Sequence, residues 1–413
     1  MAQAAVMTFP EKSPYKPDTA ASLLAQAEAF AGAYAAPDWV QALRKDSIQS
    51  LAVQGLPGAT LERFKYTNLP SYVKDLTGQI GTASFEVNDL TLVNSLENAN
   101  KNAPEWLKNL QTANPAGESQ YKDRALWHLN NIFTRDGLVI DIPAGKISQT
   151  PVKIAINAPE GPFSVARTII RLGEGAELTL IETHGGDGFF WNNHLTQIIV
   201  GKNAKLHHYR IQDYGDNAVY TQNTHVQIER DATYEAFTCT LGAGMSRNQI
   251  HAELQGVNGT CNLYGINLLE GKQLGDTTIT IEHKAPHCNS NQFYRTVLKD
   301  RAHGVFQGKV HVHQPAQKTD GYQLSNALIL SEGAEMSTKP ELEIYADDVK
   351  CSHGATTGQL DENALFYLRS RGLDKEEAQA LLVEAFVAAV VDRLADKSVN
   401  DSITQRVQSW LVR

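Results

Sequence analysis

Cysteine is scarce in this chain. Four occur in 413 residues, at Cys239, Cys261, Cys288 and Cys351. They are too few and too scattered for a disulfide scaffold, so reduced thiols in a reducing compartment are expected. Positive charge is also in deficit: Lys plus Arg is 37 against 46 for Asp plus Glu, a formal net charge of −9. That excludes a nucleic-acid binder, which needs a basic face to neutralise phosphates. No apolar run reaches the ~18 residues that would cross a bilayer. The nearest, residues 378–394, is broken by Glu384, Asp392 and Arg393. Residues 1–14 carry no positive patch followed by an apolar run, so no leader is expected and the compartment reads as cytoplasmic. Cys-x-x-Cys, His-Glu-x-x-His and Gly-x-Ser-x-Gly are all missing. Gly265 to Gln273 superficially resembles a phosphate-binding loop. It has one residue too many between its glycines, and Gln273 stands where the magnesium-binding hydroxyl belongs. The chain is therefore not expected to be an ATPase, or an enzyme at all.

Three regions differ in periodicity, with boundaries near 1–135, 136–358 and 359–413. In the first, residues 20–35 are rich in helix-forming Ala, Leu, Gln and Glu. A second helical pattern follows Pro37-Asp38-Trp39 and is broken by Gly55-Leu56-Pro57-Gly58. Residues 79–92 alternate and read as extended. The second region reads as strand after strand, with turn residues at regular intervals. It also carries a repeat. Gly175-Ala176-Glu177-Leu178, Asn203-Ala204-Lys205-Leu206 and Asp231-Ala232-Thr233-Tyr234 place their alanines 28 residues apart. Short strands with such a period and no intervening helices predict the stacked rungs of a β-helix. Ala keeps the recurring corner narrow, and a Gly or Asn before it supplies the left-handed backbone. A β-sandwich is the alternative, but its turns would come every ~8–12 residues without a longer register. The third region is helical. Asp374 and Glu377 form a capping-box pattern. Ala378, Leu381, Leu382, Ala385, Phe386, Ala389, Val390 and Leu394 follow at helical spacing. Asn400 or Asp401 is the expected cap of a last helix striped by Ile403, Val407, Trp410 and Leu411. Core packing is the ordinary role of such stripes, and a partner surface is the second reading.

The chemistry concentrates in histidine. Nine of the 13 lie between His207 and His313, and most are expected to be ordinary hydrogen-bonded imidazoles. His283 to Cys288 and His311-Val312-His313 have metal-ligand chemistry, and His311 and His313 would share one strand face. Cys239 and Cys261 sit in apolar strands and read as small core residues. Cys351 and His353, two residues apart in Asp347-Asp348-Val349-Lys350-Cys351-Ser352-His353-Gly354-Ala355-Thr356-Thr357, would also share a face. A thiol and an imidazole suit iron, zinc or copper(I), but one pair cannot fill a coordination sphere.

That run, followed by Phe366-Tyr367-Leu368-Arg369-Ser370-Arg371-Gly372-Leu373, resembles the signature of the SufB/SufD family of iron–sulfur cluster assembly proteins. Gly304 to Val310, Ala316 to Asp320 and Leu328 to Ser331 extend the resemblance. Gly55-Leu56-Pro57 with Phe64-Lys65-Tyr66-Thr67 resembles the start of the SufD branch. The resemblance implies a right-handed parallel β-helix core flanked by N-terminal and C-terminal helical regions. It implies SufB as a partner through the β-helix edges and the ATPase SufC as a partner of the C-terminal helices, here at Phe366 to Leu373. It implies that His353 is a ligand of a transient iron–sulfur cluster shared with SufB, with Cys351 a neighbouring ligand. The position matching the principal SufB cysteine falls in Gln323-Leu324-Ser325-Asn326, which has no thiol. The chain alone is then expected to hold iron poorly. Open edge strands also favour self-pairing of isolated chains. Two other functions fit a β-helix: a polysaccharide-acting enzyme, which gives the helical tail no role, and a purely structural adaptor for the ATPase.

Overall fold

The structure, a computed structural model, describes residues 17–113, 124–135 and 137–411; residues 1–14, on which the expectation of no leader rests, lie outside them. Two nine-stranded sheets face each other, and the chain passes from one to the other at every turn. Each strand from Gly137 to Gly358 pairs in parallel with the strand two positions away in sequence. The result is a β-solenoid of about eight turns, and the parallel pairing rules out the sandwich. Register partners are 28 residues apart at Glu177 and Lys205, 29 at Asn267 and Thr296, and 30 at Asn326 and Thr356. The rungs lengthen towards the C-terminus, which is why the sequence repeat fades there.

The predicted corner exists. Gly175, Asn203 and Asp231 have φ of 67°, 56° and 57°, and Asn258, His287 and Lys318 continue the column. This conformation turns each backbone N–H along the solenoid axis onto the next rung. Gly175 donates to Lys202 O at 2.8 Å, Asn203 to Arg230 O at 3.0 Å and Asp231 to Val257 O at 2.9 Å. Ala176, Ala204 and Ala232 follow and are fully buried. Asn203→Val should cost about 1–2 kcal/mol, because a β-branched residue resists this backbone, while Asn203→Gly should be near neutral. Urea midpoints of the two variants check this.

Helices cover both outer faces. Pro17–Ala33, Asp38–Gln54 and Ala125–Phe133 pack their apolar faces on Phe163, Trp191, Val219 and Met245 of one sheet. Gly55 ends the second of these with φ 67° and its N–H on Leu51 O, as the Gly-Leu-Pro-Gly run predicts. Within residues 79–92 the extended segment is the short strand Phe85–Val87, antiparallel to Val152–Asn157. Arg167 is fully buried and holds this helical layer to the sheet, donating to Asn130 Oδ1 at 2.9 Å, Gln111 Oε1 at 3.2 Å and Asn131 Oδ1 at 2.5 Å.

The tail helices Lys375–Val391 and Lys397–Leu411 cover the other sheet. The Asp374/Glu377 capping box forms. The buried face, however, is Ala378, Val383, Val387, Val390 and Val391, against Tyr209, Phe237 and Phe293. The expected stripe is therefore partly wrong: Leu381 is 46% exposed. Val383, Val387 and Val391 escaped the pattern because most positions of this helix after Glu377 are apolar, so periodicity cannot choose a face. The last helix also starts before Asn400, at Lys397. Tertiary contacts set that start. The Ala395 N–H donates to Glu235 Oε1 and the Asp396 N–H to Tyr209 Oη, each at 3.1 Å. Ile403, Val407 and Trp410 are buried as expected.

Candidate functional site: the terminal rung

Cys351 and His353 lie on Lys350–Gly358, the edge strand of one sheet. Gly321 pairs with Cys351 and Gln323 with His353. Gly321 and Gln323 are both buried inside the solenoid, so the two donors share the inward side of the last rung, as the two-residue spacing predicts. No rung follows, and the strand is mostly exposed. Cys351 is half-buried against Val310, Val312, Ala316 and Ala346. Burial pushes its thiol up, with the Gly321 backbone N–H partly opposing and Asp320 adding. Gly321 makes the room: a Cβ there would come within 3.3 Å of the Cys351 Sγ. His353 is exposed. Among the described residues, Cys351 and His353 do not belong to any group of three donors close enough to hold a metal ion. The column beneath is polar, and Gln323 Oε1, Gln292 Nε2 and Ser325 Oγ have no hydrogen-bond partner.

Both sheets end unprotected at this side. The other edge strand, Glu335–Ile344, is only partly covered, and Ile344 and Tyr345 beside it are 40% and 57% exposed. Immediately after, Asp361 caps the helix Glu362–Ser370 through the Asn363 and Ala364 N–H groups, and that helix buries no residue. Phe366 is 75% and Tyr367 55% exposed. Arg371 lies 5.0 Å over the Tyr367 ring, and Gly372 turns the chain with φ 101°. The predicted partner-binding run thus exposes two aromatic rings beside two arginines and is continuous in sequence with the terminal rung.

The other sequence candidates separate. Cys239 and Cys261 are buried core residues. His283, His287 and Cys288 do not converge. His283 is buried, bonded to Ser290 Oγ at 2.8 Å, with burial pushing its pKa to about 3. His287 supplies a corner, and Cys288 donates to Gly256 O. His311 and His313 do share a face, with rings stacked 4.1 Å apart. The resemblance to a phosphate loop dissolves: Gly265 packs beneath the Tyr294 ring and Gly271 makes a corner with φ 62°. Sequence reading missed a charged cluster inside the solenoid around Glu182 and Arg210. Their 28-residue separation, equal to the repeat, was the available signal.

Residues 154–386 match the family model described as SUF system FeS cluster assembly, SufBD core domain. The chain belongs to the SufBD family. The SufBD match takes in the solenoid from Ile154 onward, the terminal rung and most of the first long tail helix. Among curated proteins, an iron–sulfur cluster assembly SufBD family protein of Synechocystis is 32% identical over 72% of this chain and 68% of its own length. The iron–sulfur cluster assembly protein SufD of Escherichia coli is 35% identical over 57% of this chain and 56% of its own. The chloroplastic protein ABCI7 of Arabidopsis thaliana is 30% identical over 69% and 62%. The chain thus aligns with little more than half the length of the E. coli protein. Within the SufBD family it is SufD-like. Among the described residues no helix is long and apolar enough to cross a membrane.

Proposed function

We propose that the chain is a non-ATPase scaffold subunit for assembling nascent iron–sulfur clusters in the cytoplasm. In this reading it pairs with SufB through the open end of the solenoid and engages SufC through the exposed run Phe366 to Leu373. One observation carries it: an exposed imidazole and a half-buried thiol share the inward face of a last rung that is open on its outer side, with no third donor beside them among the described residues. Such a pair is useful only where another subunit completes it. The raised thiol keeps Cys351 protonated until a metal or partner displaces the proton, which makes His353 the leading ligand and Cys351 the second.

The test is co-purification of His353→Ala with SufB and SufC, followed by iron and sulfide analysis. Exposed substitutions of this kind usually move stability by less than about 0.5 kcal/mol, so the complex should assemble normally. Its cluster content should fall about 10-fold or more. Undiminished cluster in the assembled complex would overturn the ligand role and leave the adaptor reading.

A further inference from the structure

A second metal-ligating cluster lies apart from the terminal rung, on the outer face of the opposite sheet. Strand alternation puts Val310 and Val312 inside the solenoid, so His311 and His313 project outward. Glu282 is the register partner of His311 on the preceding rung. Its Oε2 lies 3.0 Å from His311 Nδ1 and 2.5 Å from His313 Nε2. All three ligand atoms fall within 4.8 Å of one another. We propose that Glu282, His311 and His313 form a binding site for a divalent first-row transition-metal ion.

Three observations separate this from an ordinary carboxylate–imidazole contact. First, His311 is 4% exposed, and its Nδ1 converges with His313 Nε2 on one oxygen, Glu282 Oε2. Two imidazole nitrogens directed at a single carboxylate oxygen are arranged as ligands around one ion rather than as one carboxylate–imidazole pair. Second, the ion pairs that Glu282 makes among the described residues are to His311 and His313, not to a lysine or arginine. Lys309, the nearest lysine on the His311 strand, pairs instead with Glu343 on the edge strand, and Tyr345 also donates to Glu343, at 2.6 Å. The neighbouring group His225, His251 and Glu253 fails this criterion, because Lys284 Nζ and Gln255 Nε2 sit on Glu253 Oε2 at 2.9 and 2.7 Å. Third, the walls hold the donors in place. Tyr345 packs edge-on 5.6 Å from His311, and the His313 backbone N–H donates to His283 O at 3.0 Å.

Two imidazoles and one carboxylate suit zinc, iron(II) or cobalt(II) and leave further positions open. Bonds of about 2.0–2.2 Å in tetrahedral geometry separate donors by roughly 3.4 Å. The present contacts, 3.0 and 2.5 Å, are shorter than that, so the side chains must rotate apart to admit the ion as the imidazoles give up the protons they share with Glu282. His313, with 32% of its side chain exposed, is the solvent side and the entry path. A bound ion would tie Leu274–His283 to His303–Val312, two rungs of one sheet.

The experiment adds cobalt(II) to the full chain, reads the visible ligand-field bands, and repeats the titration on variants. One equivalent should bind with bands of a nitrogen–oxygen site. His313→Ala and Glu282→Gln should each weaken binding about 100-fold or more, while Cys351→Ser with His353→Ala should leave it unchanged. His313→Ala removes a partly exposed ring, and the unfolding curve without metal verifies its fold. Failure of the wild-type chain to take up cobalt(II), or uptake lost in the Cys351/His353 variant and kept in His313→Ala, would overturn the proposal. Neither result bears on the scaffold role.

Discussion

Glu182→Ala is expected to cost about 3–5 kcal/mol, read as a large fall in the urea midpoint of the isolated chain. Glu182 is fully buried inside the solenoid. Its Oε2 accepts from Arg210 Nε at 2.8 Å and lies 3.0 Å from His208 Nε2. Burial pushes this carboxyl up, but Arg210 and His208 outweigh it and hold the group well below the usual carboxylate range. Remove it, and the Arg210 guanidinium keeps long contacts, to the Thr196 and Thr224 hydroxyls at 3.4 Å and to His208 Nε2 at 3.5 Å. A buried charge without its partner is the expensive state; the pair itself is close to replaceable. Glu182→Leu combined with Arg210→Met should therefore recover most of the loss. A single variant that loses less than about 1 kcal/mol, or a double variant no better than the single, would show that solvent reaches the cluster.

How much of this was legible in the sequence follows from which interactions are local. The corner was legible because Gly175-Ala176, Asn203-Ala204 and Asp231-Ala232 solve the same steric problem with similar residues each time. The shared face of Cys351 and His353, like that of His311 and His313, was legible because strand alternation needs no tertiary information. The missed parts depend on register between rungs. Glu282 completes the His311/His313 cluster only because it stands beside His311 across the ladder. The face of Lys375–Val391 was misread because packing against Tyr209 and Phe293 chose among apolar positions that all looked alike. The early start of the last helix rests on Glu235 and Tyr209, more than a hundred residues upstream. The open terminal rung was read as a half-site from donor chemistry, and its exposure is consistent with that reading.

Acid should unfold the solenoid earlier than carboxylate chemistry alone allows. His184, His194 and His208 are buried inside it, and burial pushes all three down, helped by the Arg210 charge. His128, beneath the N-terminal helices, is pushed down to about 4 by burial and Arg124. The groups around the internal three do not rescue them: Glu182 raises each of them but is outweighed, and Tyr220 is held neutral by burial. These histidines stay neutral in the folded chain, while in the unfolded chain they take up protons near pH 6.5. Their folded pKa values lie below the unfolded one, so stability is complete above about pH 6.5 and drains away as pH falls through it towards the folded values. Each contributes up to about 1.4 kcal/mol per pH unit inside that window. The melting temperature of the isolated chain should therefore drop steeply between about pH 6.5 and 5, and His194→Gln should make the slope shallower. A melting temperature that stays flat until about pH 4.5, where ordinary carboxylates titrate, would mean the internal histidines are already charged. The solenoid interior around Glu182 would then have to hold several positive charges beside that carboxylate, which burial makes costly.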